Sequence, residues 1–167
     1  MCRGFSVVGL GHQTEGVAQL QTGLAAWNAT GGHTIDTQWV GFLAEAHLQA
    51  AQFDDALIAL DRAAEIAAAS GECHYQAELH RLRGAVLAET GKQDEAAAWL
   101  HRAIETARSQ EAKSLELRAA TSLARLWRDQ GRRSAAHDLL APVYGWFTEG
   151  FDTADLKDAK ALLDELA

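Results

Sequence analysis

The chain has 167 residues, 48% of them apolar, and a net charge of −8, which suits a single domain with a buried core and disfavours nucleic acid or an anionic membrane as partner. No apolar run nears the ~20 residues that span a bilayer. Two distant cysteines, Cys2 and Cys73, make no disulfide framework, so a reducing cytoplasm is the expected compartment. Ala and Leu prevail, β-branched residues are few and Pro142 is the single proline. Such a composition favours helix.

In chain order, residues 1–10 read as the stump of a helix, followed by a helix over 14–29. Apolar residues at helical spacing (Val40, Leu43, Ala44, His47, Leu48) place the next over 34–50. Ala51-Gln52 turns the chain into 54–69, which Ser70-Gly71 ends, glycine suiting a left-handed cap. Helices over 73–90 and 94–108 flank Thr90-Gly91-Lys92, and helices over 113–130 and 134–148 flank Gln130-Gly131. A last one covers 153–166, with Thr153 as N-cap.

The same order of residues returns every forty positions without a gap. Gly11, Ala51, Gly91 and Gly131 share one column; Gly16, Ala56, Ala96 and Ala136 share another; Leu20, Leu60, Leu100 and Leu140 are identical. Gly23, Ala63, Ala103 and Val143 follow, and Gly4, Ala44, Gly84 and Ala124 stand upstream of the turns. Small residues recur where helices touch and large ones where a core needs filling. The period predicts one all-α domain over 1–167: a truncated first repeat at 1–31, repeats at 32–71, 72–111 and 112–150, and a capping helix in 151–167 whose Asp, Lys and Glu make one face polar.

These units resemble the tetratricopeptide repeat (TPR), in which small and large apolar residues stand at fixed offsets in a helix-turn-helix. The pattern is carried by Val40, Leu43-Ala44, His47, Ala56 and Leu60; by His80, Arg83-Gly84, Leu87, Ala96 and Leu100; and by Ala120, Leu123-Ala124, Trp127, Ala136 and Leu140. The period of forty and the lack of a closing proline depart from the ordinary thirty-four-residue repeat. The resemblance implies a right-handed superhelix of antiparallel helix pairs. The words AELHRLRG (77–84), AKSLELRAATSLARLW (112–127) and DLLAPVYGWFTEGFDTADL (138–156), with GLAAWNATG (23–31) and FLAEAHLQAAQ (42–52), are similar to the C-terminal repeat region of bacterial proteins that join an adenylate or guanylate cyclase to an ATPase module. That likeness implies a sensory or assembly tail. Neither a phosphate loop nor a cyclase carboxylate pattern is present to carry those activities, so no enzyme is expected.

Charge is unevenly spread: residues 1–79 carry 2 basic and 9 acidic groups, 80–133 carry 11 and 7, and 134–167 carry 2 and 7. In such superhelices the first helices line the concave wall. The exposed stripe preceding the Leu43 column, followed by helical steps, selects Gln38, Gly41, Glu45 and Gln49; then Glu78, Arg81, Ala85 and Glu89; then Arg118, Thr121, Arg125 and Arg128. The candidate groove is therefore Gln38, Glu45, Arg81, Arg118, Thr121, Arg125 and Arg128, with Glu45 at its acidic end. Arginine forks suit carboxylates, so the expected partner is a protein or peptide with acidic groups. Against this stands ordinary surface pairing with Glu78, Glu116 and Asp129.

The seven histidines and Cys73 lack the tight spacing of a zinc site or a nucleophile–base pair, and no metal or cofactor is expected. The tryptophans are expected mainly in the core, Trp127 between paired helices and Trp27 between units. Leu20, Leu24 and Trp27, lacking a full partner helix, are expected to expose an apolar patch that makes a homodimer, unless residues 5–10 fold back over them. The function expected is protein–protein recognition or self-assembly. The alternative is a sensor that binds an anionic metabolite in the groove.

Overall fold

The computed structural model describes residues 13–31 and 35–167. Among them are eight helices: α1 (Gln13–Ala29), α2 (Asp36–Gln49), α3 (Phe53–Ser70), α4 (Gln76–Glu89), α5 (Gln93–Ser109), α6 (Lys113–Asp129), α7 (Arg133–Tyr144) and α8 (Ala154–Leu166). The second helices of successive units begin at 13, 53, 93 and 133, in step with the forty-residue period. The expected stump over 1–10 lies outside the described residues. The helix expected over 134–148 stops at Tyr144, because Pro142 lacks an N–H for its last turn and Gly145 follows.

Two backbone columns set the period. Ala51, Gly91 and Gly131 turn with φ of 55–80°, and so do Gly31, Gly71 and Glu111 with φ of 55–77°. Helices α1 to α6 thus each stop against a left-handed residue, a conformation that glycine adopts without steric cost. Leu20, Leu60, Leu100 and Leu140 are the innermost column, at 2%, 1%, 1% and 0% exposure. The small columns do what close packing requires: a Cβ on Gly84 would fall 2.7 Å from Leu100 Cγ, so no larger residue fits where α4 crosses α5.

First helices touch the next first helix along the chain (α2 with α4, α4 with α6, α6 with α8), whereas among the described residues second helices touch only first helices. That asymmetry curves the stack, with first helices on the inner wall. The architecture is an all-α, TPR-like superhelix. The expected apolar patch at the N-terminal end is not there: Leu20 and Leu24 are buried, and half-buried Trp27 donates from Nε1 to Asp36 Oδ1 at 2.7 Å. The alternative cover, residues 5–10, lies outside the described residues.

Candidate functional site

The inner wall is built by α2, α4, α6 and α8, and its central feature is a charged cluster spanning all four. Helical spacing sets Glu78 and Arg81 one turn apart on α4, and Arg81 donates from Nε to Glu78 Oε2 at 3.0 Å and from Nη2 to Oε1 at 2.7 Å. Arg118 of α6 reaches the same carboxylate, Nη1 to Oε1, at 2.9 Å. Glu45 of α2 lies 3.5 Å from Arg81 and 3.4 Å from Arg118, and Asp155 of α8 lies 3.7 Å from Arg118 Nε.

Glu78 is wholly buried, and two guanidiniums share its carboxylate, the pairing that a buried acidic side chain requires. Burial pushes the Glu45 carboxyl up from its usual range, against the pull of Arg81. Burial likewise pushes the Tyr75 phenol up, with the Glu78 and Glu45 carboxylates adding to it. Although burial works against it, Arg81 is held charged by Glu78.

Farther along α6 the arginines are paired more loosely. Arg125 donates to Asp158 and Arg128 to Glu165 at 2.7 Å, both on α8, and Arg128 also meets its neighbour Asp129 at 2.9 Å. The Arg125 and Asp158 side chains are 42% and 50% exposed. Two open hollows share this wall. The smaller, about 200 Å³, is lined by Glu45, Arg81, Arg118, Thr121 and Arg125 with Asp155 and Asp158. The larger, about 520 Å³, runs on past Ala85, Glu89, Arg125 and Arg128.

The structure therefore brings together Glu45, Arg81, Arg118, Thr121, Arg125 and Arg128, and it leaves Gln38 outside both hollows. Thr121 is buried, its hydroxyl spent on Leu117 O. Gly41 is packed away, since a Cβ there would lie 2.6 Å from the Tyr75 ring. Glu45 lies within reach of both Arg81 and Arg118 and lines the smaller hollow only. Of the three expected counter-charges, Glu78 and Asp129 take part, whereas buried Glu116 pairs with Arg108 and Lys113 instead. The carboxylates missed from sequence were Asp155, Asp158 and Glu165. Their spacing along 155–165 at helical steps, matching the arginine stripe, was the available signal. Around the smaller hollow, Arg81, Arg118 and Arg125 stand against Glu45, Asp155, Asp158 and the underlying Glu78: three cations and four carboxylates.

Among the described residues no three His, Cys, Asp or Glu side chains converge as a metal site. His47 bonds Gln52, His80 packs on Trp99 and His101 packs on Trp127. No described helix is long and apolar enough to cross a membrane.

Fold and wall together define a helical-repeat protein of the TPR-like kind. Two crystal structures of a kinesin light chain-like protein of Podosopora anserina, built of nearly identical TPR-like repeats, superpose on the chain with a TM-score of 0.69. Each is 18% identical in sequence, over 98% of this chain and 81% of theirs, a likeness of fold. No protein-family model matches the chain, and no curated protein matches it.

Proposed function

We propose that the chain is a non-catalytic recognition module that takes an extended, acidic segment of a protein partner along its inner wall. The observation that carries this is the division of the arginines into two kinds. Arg81 and Arg118 are committed to a buried carboxylate, and removing either would strand Glu78. Arg125 and Arg128 instead hold exposed partners on α8, and exposed ion pairs are worth only about 0–1 kcal/mol. A partner's carboxylates can exchange with Asp158 and Glu165 at little cost, so these two arginines are the recognition pair. The groove is open along its length, which suits a peptide better than an enclosed metabolite.

The words shared with cyclase–ATPase proteins make a regulatory tail of that type, in the cytoplasm, the setting we favour. Self-association has lost its expected apolar basis at α1. The test uses a fluorescein-labelled oligoglutamate peptide as probe. Arg125→Ala with Arg128→Ala weakens binding by about a hundredfold or more, and added salt weakens it too. Asp158→Asn with Glu165→Gln tightens it, because the internal competitors are gone. Unchanged affinity in both double variants refutes the reading.

A further inference from the structure

The outer side of α4, opposite the arginine wall, carries a departure from the repeat that the groove does not use. One column of the forty-residue period holds Leu24, Ala64, Ile104 and Tyr144. Leu24 and Ile104 are buried at 5% and 3% exposure, so this position ordinarily fills the space beside the next unit. Ala64 leaves it empty. Two further columns change at the same place: His80 replaces Val40 and Ala120, and Arg83 replaces Leu43 and Leu123. The result is an open hollow of about 300 Å³ between α3 and α5, with Leu60, Ala64, Leu79, His80 and Trp99 along its wall and polar residues, Glu72 and Gln76 among them, lining it as well. Its volume lies at the small end of ligand pockets. Polar residues placed in apolar columns, at the one interface where the filling side chain is missing, break the local rule in the way functional positions do.

The chemistry of the hollow follows from its hydrogen bonds. The Thr106 hydroxyl donates to Arg102 O at 2.8 Å, so the oxygen that lies 3.3 Å from His80 Nδ1 acts there as acceptor. On that basis we assign the ring proton to Nδ1. Burial, with Arg102 and Arg83 nearby, pushes His80 down to about 4, which keeps the ring neutral at physiological pH and leaves Nε2 an acceptor. Among the described residues no protein donor meets Nε2. The Trp99 ring lies 5.3 Å from the His80 ring and under the guanidiniums of Arg83 and Arg102, at 5.2 Å and 4.7 Å. Asp61 pairs with Arg83, and Glu72, which also lines the hollow, is taken up by Ile35 and Thr37, so neither charge is open to a charged ligand.

We propose that the hollow between α3 and α5 binds a small uncharged aromatic molecule with one hydroxyl or N–H group, its ring against Leu60, Ala64, Leu79 and Trp99 and its donor on His80 Nε2. This site is separate from the groove and does not depend on what the groove binds.

The probes are para-fluorophenol, para-fluorotoluene, which has the shape without the donor, and fluorine NMR titration of the full chain. Para-fluorophenol saturates a single site at millimolar concentration or below, and para-fluorotoluene binds about tenfold more weakly. His80→Phe, which keeps a ring and removes the acceptor, brings the two probes to equal affinity. Ala64→Ile, the residue that the next repeat already carries, abolishes binding of both, while the thermal melt and oligoglutamate binding stay as in the parent. Absence of saturation by para-fluorophenol overturns the proposal. So does equal affinity of the two probes for the parent, or undiminished binding to the Ala64→Ile variant.

Discussion

Replacing Arg81 by methionine isolates the difference between a committed and an exchangeable arginine. Methionine keeps most of the side-chain volume, so the change removes charge and hydrogen bonds more than packing. Glu78 then loses the bonds of 3.0 and 2.7 Å from Arg81 and keeps one contact of 2.9 Å from Arg118, while it remains at 0% exposure. Stranding a buried charge in this way costs about 3–5 kcal/mol, with the low end favoured because Arg118 still serves it. The same substitution at Arg128 breaks contacts to Asp129 and Glu165, whose side chains are 61% and 56% exposed, and costs less than about 1 kcal/mol.

Urea denaturation followed by circular dichroism measures both. With a slope of about 1–3 kcal/mol/M for a domain of ordinary size, Arg81→Met lowers the midpoint by one molar or more, and Arg128→Met leaves it nearly in place. Adding Glu78→Gln to Arg81→Met recovers much of the loss, since no charge is then stranded. Equal midpoints for Arg81→Met and Arg128→Met would refute the division of the arginines on which the proposed function rests.

Leu100→Ala, in the continuous core of the last units, costs about 2–5 kcal/mol, whereas Leu20→Ala, in a small cluster with Val17 and Ala46, costs less; chemical denaturation of the two variants compares them. Glu45→Gln does not lower stability at neutral pH. Because burial raises the native carboxyl above its unfolded value, the parent loses stability as pH rises from the unfolded pKa of about 4.3 through the raised native one. The variant lacks that loss, and thermal melts across this range show whether the slope disappears. Gly91→Ala, at φ 80° with open space around its missing Cβ, costs about 1–2 kcal/mol from the left-handed backbone alone. Ala51→Gly, at φ 55°, is neutral to slightly stabilising, since strain relieved offsets entropy gained by the unfolded chain; a loss at Ala51 equal to that at Gly91 would rule this out.

Helix positions were legible in the sequence because each depends on a few neighbouring residues: a left-handed turn at Ala51, Gly91 or Gly131 and an apolar stripe that returns with the helical period. The innermost leucines were legible for the same reason, since a residue identical in four units at one phase of the helix must face the shared core. The same phase puts Arg81, Arg118 and Arg125 on one side of α4 and α6, where they line one hollow. The ion-pair partners on α8 did not follow from it. Asp155, Asp158 and Glu165 meet Arg118, Arg125 and Arg128 only because α8 docks on α6 with a particular slide and rotation, and a period fixes the face a residue occupies without fixing the rise between neighbouring helices. Glu72, too, reaches back from one inter-unit turn to hold the Ile35 and Thr37 amides at 3.1 Å, a contact that exists because curvature brings successive turns together. The empty place at Ala64 could be read from its column, but whether it collapses or stays open is decided by backbones held apart: α3 and α5 both lean on α4 and never touch each other.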